Sequence, residues 1–438
     1  MISVSNHEFV ELRHQQPQTC KTHFVFTDID IADLDIPEIS SAKYQLKNGN
    51  AIGTYKKDTS DSSISSMSRS KKGKKIVAIT VILLGLIFLG AGIPIGLQLR
   101  SSSLLEARLN FIRRLLSECM LIGGFFNTHS ESNFTQNFYE IKESMIGAVM
   151  LPIRIPCQAQ YLDAVQLALE GIDQATRMVS RTKGMRIVLS AEEMEQAHEN
   201  GEIGVLLGLE GGHLLGSSVA VLRMFYSLGA RFISLSSYEC SSPWISAATT
   251  KEPLFEENIP TSITQFGKIV LKEINRLGML AEISHLSEPS MMQVLNSAKA
   301  PLLVNNAIPA ATTSPNITNI IPDHVLSALS SNGGVLTINI DKLSVKEAIH
   351  NINYVRALAG LEHVGLGTTV SPRKYALLLA ELARDRLWNN ASLKKLVGGN
   401  IVRILREAEA NRNKVALSED WIPPEEIEGN AYCRYPES

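Results

Sequence analysis

The sequence predicts an α/β protein: a (β/α)8 TIM-like barrel ectodomain preceded by a single transmembrane helix and a disordered N-terminal tail. Short apolar runs alternate eight times with amphipathic stretches after residue 118, and one uncharged apolar run of 22 residues lies at 76–97. A chain of 438 residues, 45% hydrophobic and 20% charged, is long enough for one large domain with accessory segments. The formal charge of −2 argues against a nucleic acid partner.

The N-terminal region predicts a membrane topology. Residues 1–75 end in the Ser- and Lys-rich stretch DTSDSSISSMSRSKKGKK, which is too polar to form a core and predicts a flexible cytosolic tail. At about 1.5 Å per residue, a helix over 76–97 crosses the roughly 30 Å hydrocarbon core. Arg69 and four lysines precede this run, so the positive-inside rule keeps the N-terminus in the cytosol. We therefore expect a single-pass type II protein of the plasma membrane or secretory pathway.

Glycosylation and cysteine usage agree with an extracellular or lumenal C-terminal part. The three Asn-x-Ser/Thr sequons all follow the apolar run and begin at Asn133, Asn316 and Asn390. Four of the five cysteines fall on the oxidising side, where disulfides persist: Cys119, Cys157, Cys240 and Cys433. Spacing alone leaves their pairing open.

A polar, helical stalk is predicted at 98–118, and the barrel at 119–438. The eight apolar runs are CMLIGGFF (119–126), MIGAVML (145–151), IGVLLGLE (203–210), RFISLSS (231–237), MLAEISH (279–285), PLLVNN (301–306), GVLTINI (334–340) and HVGLGTT (363–369). Amphipathic stretches such as TQFGKIVLKEINRLG separate them, and several end in glycine, as helices often do. A doubly wound open sheet is the structural alternative.

Polar residues at the carboxyl ends of these runs are the candidates for chemistry, because barrel active sites lie there. They are Asn127 or His129, Glu210 and His213, Ser237 and Tyr238, His285, Asn305 and Asn306, and Thr368 and Thr369. Carboxylate oxygen and imidazole nitrogen, as in Glu210 and His285, are ligands that zinc takes. Two such groups do not complete a zinc site.

Several blocks carry a resemblance to a known family. The stretches LGLEGGHLLGSSVAVLRMFYSLGARFISL, CSSPW, FGKIVLKEINRLGMLAEISHLS, APLLVNN, IIPDHVLSALSSNGGV and LAGLEHVGLG occur in this order. From about residue 104 onward the chain resembles the membrane (renal) dipeptidase family, amidohydrolase-like barrels with two zinc ions. Glu210 matches the glutamate that bridges the two metals in that family, and His285 matches the histidine after strand five.

Other family positions hold residues with different chemistry. Phe125 and Asn127 stand where the family's zinc-binding His-x-Asp belongs, Asn306 replaces the histidine after strand six, and Thr369 replaces the catalytic aspartate. Phenylalanine offers no lone pair, asparagine is a weak neutral ligand, and threonine is no base near neutral pH. The comparison therefore predicts weak zinc binding or none.

The family's substrate contacts and cysteines can be compared in the same way. The substrate-binding histidine falls at Ser237 or Tyr238, and the substrate-binding arginine falls at Asn319. The resemblance implies a disulfide between Cys157 and Cys240, and an intersubunit disulfide through Cys433 of a homodimer. His213 matches a family histidine that is not a zinc ligand, which favours a structural role.

We therefore predict a catalytically inactive family homologue, a pseudoenzyme with a binding or scaffolding role. The alternative is an active zinc-dependent dipeptidase with an altered metal centre, in which His129 and Glu131 join Glu210 and His285. A third hypothesis is a partner subunit that forms heterodimers with an active family member.

Overall fold

A computed structural model of the chain describes residues 93–125, 138, 141–160, 162–237, 240–248, 261–312, 319–368 and 373–415. Within them, eight parallel strands follow one another in a nearly closed barrel, as predicted. The strands are β1 (Leu121–Phe125), β2 (Ile146–Arg154), β4 (Ile203–Glu210), β5 (Phe232–Ser234), β6 (Leu280–Glu282), β7 (Leu303–Pro309), β9 (Val335–Ile338) and β10 (Val364–Leu366). Two shorter strands that the sequence did not predict, β3 (Met185–Ile187) and β8 (Ile320–Ile321), pair with β4 and β7.

Each predicted apolar run overlaps one barrel strand because these strands are buried on both faces. All residues of β4 are buried, as are the first eight of the nine residues of β2. Parallel strands covered by helices outside and by packed side chains inside become continuous apolar runs rather than alternating ones. Strand β2 continues three residues past the predicted run, as far as Arg154.

The helices begin with α1 before the first strand, and several of them begin or end at residues with clear capping chemistry. They are α1 (Ile93–Glu118), α2 (Ala164–Arg181), α3 (Ala191–Glu199), α4 (Val219–Ser227), α5 (Gln265–Leu277), α6 (Glu288–Ser297), α7 (Asp323–Asn332), α8 (Val345–Leu358), α9 (Arg373–Leu382), α10 (Asn390–Lys394) and α11 (Asn400–Val415). Ser344 caps α8 in a capping box with Glu347. Gly278 and Gly333 end α5 and α7 in the left-handed conformation, as the predicted glycine stops require.

The end of the barrel opposite the candidate site is closed by apolar packing. One core cluster joins inward residues of the strands, among them Met150, Leu206 and Phe232, to Met194 of α3 and Ile404 of α11. These side chains are almost completely buried. The polar groups of the barrel therefore gather at its carboxyl end.

Strands β1 and β10 approach each other closely at that end. A Cβ atom at Gly124 would lie 2.5 Å from Thr368 Oγ1 and 2.6 Å from Thr368 N, so the contact needs a residue without a side chain. The Tyr375 hydroxyl of α9 donates to the carbonyl of Gly367 at 2.7 Å and supports the same seam.

Helix α1 contains the segment predicted as a stalk, and its last turns belong to the barrel wall. Ile112, Leu115 and Leu116 are buried in the core, and Arg108 pairs with Glu381 of α9 at 3.2 Å. The segment is helical, as predicted, but it packs on the barrel and does not stand apart from it.

The predicted membrane anchor and cytosolic tail fall mainly outside the part of the chain that the structure describes. Residues 1–75 and most of 76–97 precede Ile93, the first residue that the structure describes. Among the described residues, the structure contains no helix with the length and apolar character that crossing a membrane requires.

Candidate functional site

The centre of the candidate site is the Glu210 carboxylate at the carboxyl end of β4. Glu210 is only 6% exposed. Arg154 Nε donates to Glu210 Oε2, and the Ser237 hydroxyl donates to Glu210 Oε1 at 3.4 Å. The register explains the first contact, since β2 and β4 pair in parallel and the last pair is Arg154 with Glu210. The glutamate matched to the metal bridge thus binds a fixed cation of the same chain.

Sequence reasoning did not select Arg154. An arginine three residues before a cysteine has no motif of its own and is typical of a surface position. The available signal was its place as the first polar residue after the apolar run of β2, at the strand end where barrel chemistry lies.

His285 lies three residues beyond β6 and is held in the left-handed backbone region, with φ of 64°. Its carbonyl accepts from the N–H of Ala248 at 2.7 Å. Burial and the nearby charge of Arg154 lower the pKa of His285 to about 4. The imidazole is therefore neutral at physiological pH and adds no positive charge to the site.

Asn306, at the position of the family's histidine after strand six, connects β7 to its neighbours. Its backbone is also left-handed, with φ of 55°. Asn306 Oδ1 accepts from the N–H of Thr368 at 2.7 Å, and its N–H donates to Thr337 Oγ1 at 3.0 Å. A Cβ atom at Gly367 would lie 2.4 Å from Asn306 Oδ1, so a glycine there makes room for the amide. The Asn306 amide oxygen is thus engaged in joining β7 to the end of β10.

Two positions matched to substrate-binding residues also point into the protein. Asn319 is buried, and its Nδ2 donates to the carbonyls of Asn305 at 2.9 Å and Asn306 at 3.3 Å. Ser237, as described, binds Glu210. Both side chains therefore support the strand ends, and Tyr238 lies outside the described residues.

His213 of the EGGH stretch is a buried neighbour of the site. Its Nε2 lies 3.4 Å from the carbonyl of Ile155. Burial lowers its pKa to about 4, and the hydrogen bond to Ile155 opposes this only in part. These contacts agree with the structural role predicted for His213.

The remaining predicted residues divide between those that the structure describes and those that it does not. Cys157 and Cys240 form a disulfide, the pair that the resemblance implies, whereas Cys119 is a free thiol. Asn390 is exposed at the start of α10, and its glycosylation stays a prediction. The other predicted residues fall outside the described ranges: Asn127, His129, Glu131, Asn133, Asn316, Thr369 and Cys433.

The described residues do not fit the two zinc ions that the resemblance implies. Glu210 is engaged by Arg154 and Ser237, and the Asn306 amide oxygen is engaged by Thr368. Within the described ranges, no cluster of three or more His, Cys, Asp or Glu side chains could hold a metal ion. A zinc site needs at least three protein ligands.

A second buried carboxyl, Glu282, lies in the strands behind the site. It is 1% exposed, and its Oε1 accepts from the N–H groups of Ser284 at 2.7 Å and Asn305 at 3.2 Å. Burial raises the pKa of Glu282 to about 7, although these hydrogen bonds oppose the shift. Sequence reasoning missed this group because it lies inside an apolar run.

Glu282 is expected to make the barrel less stable as pH rises. A carboxyl whose pKa goes from 4.5 in the unfolded chain to about 7 in the folded one favours folding at low pH, and this contribution is lost between those values. Glu282→Gln resembles the protonated acid. Its Tm should match that of the wild type at pH 4, below the unfolded pKa, and exceed it by about 5 °C at pH 8.

Glu273→Gln is the matched control with the opposite sign. Burial alone would raise the pKa of Glu273, but hydrogen bonds from Arg276 and Arg223 lower it overall. The stabilisation by Glu273 is present above its unfolded pKa and lost as pH falls, so this variant should lose stability at pH 8. Equal losses for both variants at pH 8 would contradict the assignment of Glu282.

Comparison with known proteins identifies the family. A family model described as membrane dipeptidase, peptidase family M19, matches residues 99–419. The chain therefore belongs to the membrane dipeptidase family, as its sequence blocks predicted. It is 33% identical over 307 residues to Dipeptidase 3 of Rattus norvegicus, covering 66% of this chain and 61% of the relative. Dipeptidase 3 of Homo sapiens is 30% identical over 307 residues, with the same coverage of 66% and 61%. The chain thus spans about three fifths of the length of these relatives.

Solved structures show the same fold at low sequence identity. A probable dipeptidase, PvdM, of Pseudomonas aeruginosa superposes with a TM-score of 0.62 at 16% identity, covering 70% of this chain and 99% of that one. A metallo peptidase of Rhodobacter sphaeroides, solved with a phosphinate mimic of the dipeptide L-Ala-D-Ala, gives 0.58 at 16% identity, covering 66% and 99%. At this identity the likeness establishes the barrel fold and nothing about activity.

Proposed function

We propose that this chain is a catalytically inactive member of the membrane dipeptidase family that binds or scaffolds a peptide or protein partner at the carboxyl end of its barrel. The observation that carries the proposal is the hydrogen bond accepted by the side chain of Asn306. Where the family has a metal-binding histidine, the side-chain amide oxygen of Asn306 accepts from the N–H of Thr368 and so joins β7 to the end of β10. An amide oxygen that accepts a backbone N–H replaces a metal ligand with a structural hydrogen bond.

The side chains at the substrate positions support the same proposal. Asn319 binds two backbone carbonyls and Ser237 binds Glu210, so neither side chain adds a charge to the cleft. Dipeptides carry a terminal ammonium and a terminal carboxylate, which fixed charges would recognise. A cleft with neutral groups at these two positions suits other ligands better.

The proposed setting is the membrane. The apolar run at 76–97 with its preceding basic residues would anchor a type II glycoprotein, and Cys433 would link two subunits into a homodimer. Its location would be the plasma membrane or the secretory pathway. In the third hypothesis, the chain would instead modulate an active family member as the partner in a heterodimer.

Hydrolysis of a panel of dipeptides tests the proposal. The full-length chain, purified in mild detergent with zinc in excess, is expected to show no turnover above Glu210→Ala, while an active family member run in parallel turns over the panel. Clear turnover that is lost in Glu210→Ala would establish the alternative, an active zinc dipeptidase, and would direct attention to His129 and Glu131. Co-purification of an active homologue would favour the heterodimer.

A further inference from the structure

The cation that faces Glu210 is part of the barrel itself. Arg154 is the last residue of β2 and the only one in that strand that is exposed, and it pairs in register with Glu210 at the end of β4. Its side chain is 39% exposed, whereas the side chain of Glu210 is 7% exposed. The guanidinium therefore reaches from the cleft wall onto a buried carboxylate.

We infer that the Arg154 guanidinium is the built-in cation of this site, that it balances the Glu210 carboxylate, and that the barrel folds and remains stable without a metal ion. The inference deepens the proposed function and concerns the same site. It also explains the mismatch with zinc: the residue matched to the bridging glutamate is retained, but its counter-charge comes from the neighbouring strand.

The electrostatics of the site require such a cation. A carboxylate removed from water is strongly unfavourable unless it is paired and hydrogen-bonded. Within the described ranges, the side chains that donate to Glu210 are the neutral hydroxyl of Ser237 and the charged guanidinium of Arg154. A guanidinium remains charged at every physiological pH and matches a carboxylate in shape.

Local covalent structure holds the arginine in place. Cys157 follows Arg154 by three residues and is bonded to Cys240, which follows Ser237 by three residues. Both donors to Glu210 thus lie beside the two ends of one disulfide. A preorganised pair loses less conformational entropy than a pair of mobile side chains.

A double-mutant cycle on the full-length chain tests the inference. Arg154→Met keeps the apolar stem, and Glu210→Gln keeps the shape of the acid. Arg154→Met should lower Tm by about 5 °C because it leaves a buried charge unpaired, whereas Arg154→Met/Glu210→Gln should return to within about 2 °C of the wild type. The wild type, dialysed against micromolar zinc and analysed for metal, should contain far less than one zinc ion per chain, and EDTA should not change its Tm.

Arg113→Met is the matched control, since Arg113 pairs with Glu106 on the surface of α1, where the side chains are 57% and 59% exposed. Its Tm should stay within about 1 °C of the wild type. If Arg154→Met alone does not fold, recovery of folding in the double variant supports the inference. Failure of the double variant to fold, or Tm losses of the two single variants that simply add, would overturn it.

Zinc content separates this inference from the proposed function. One zinc ion per wild-type chain, or a Tm lowered by EDTA, refutes a metal-free barrel even if no dipeptide is hydrolysed. Turnover of dipeptides refutes the proposed function, and the metal content and the cycle then show independently whether Arg154 supplies the charge.

Discussion

Changing Asn306 to histidine and Arg154 to methionine together is expected to create a zinc site that neither change creates alone. Asn306→His supplies a third ligand beside Glu210 and His285, and three protein ligands are the minimum for a zinc site. Histidine tolerates the left-handed backbone at this position, where φ is 55°. Arg154→Met releases the Glu210 carboxylate, which the arginine otherwise occupies.

Zinc affinity, measured by competition with a fluorescent chelator, should rise by roughly 100-fold or more in the double variant relative to the wild type. Asn306→His alone should stay within about 10-fold of the wild type, because the arginine still occupies the carboxylate. Arg154→Met/Asn306→Gln is the control that frees Glu210 without adding an imidazole. Equal affinity in Asn306→His and the double variant would show that Arg154 does not compete with the metal.

The barrel could be predicted because each of its strands lies in a local run of apolar residues. IGVLLGLE is apolar throughout since β4 is buried on both faces, and the predicted run coincides with the strand. Helix ends could also be predicted from local sequence. Gly278 ends α5 because the backbone there is left-handed, with φ of 72°. The short strands β3 and β8 were missed, since they pair with β4 and β7 beside the barrel path and lie outside the eightfold alternation that predicts the barrel.

Candidate site residues could be predicted from polar side chains at the ends of apolar runs, and the family match then assigned a role to some of them. Glu210 and His285 were found in this way, and the structure places them at the ends of β4 and β6, as expected for the carboxyl end of a barrel. The residues that hydrogen-bond to the side chains of Glu210 and Asn306 come from distant parts of the chain. Arg154 lies 56 residues before Glu210, and Thr368 lies 62 residues after Asn306.

Strand register explains why such pairs escape sequence reasoning. A shift of one residue between β2 and β4 would turn Arg154 away from Glu210, and apolar runs do not specify register at that precision. The same holds for Glu282, whose neighbours Ser284 and Asn305 lie on two strands. Chemistry that depends on strand register is therefore not predictable from the pattern of apolar runs.

Removing the disulfide between Cys157 and Cys240 is expected to lower the free energy of unfolding by about 4 kcal/mol, through a closed loop with a sequence separation of 83. The strand order in the sheet is β2, β4, β5. The disulfide therefore connects the segments that follow β2 and β5, on either side of Glu210 at the end of β4. Its loss increases the entropy of the unfolded chain and also frees the segments that carry Arg154 and Ser237. The double variant Cys157→Ala/Cys240→Ala avoids leaving an unpaired thiol.

Urea unfolding of the full-length chain under non-reducing conditions measures this loss. Cys119→Ala is the control, because that thiol is free and half-buried and donates to the carbonyl of Leu115 at 2.9 Å. It should change the free energy of unfolding by less than about 1 kcal/mol. A similar small change in Cys157→Ala/Cys240→Ala would mean that the unfolded chain is already compact around these cysteines, or that the bond does not form in the mature protein. Mass analysis of peptides cleaved without reduction separates these two explanations, since only the first retains a peptide linked through Cys157 and Cys240.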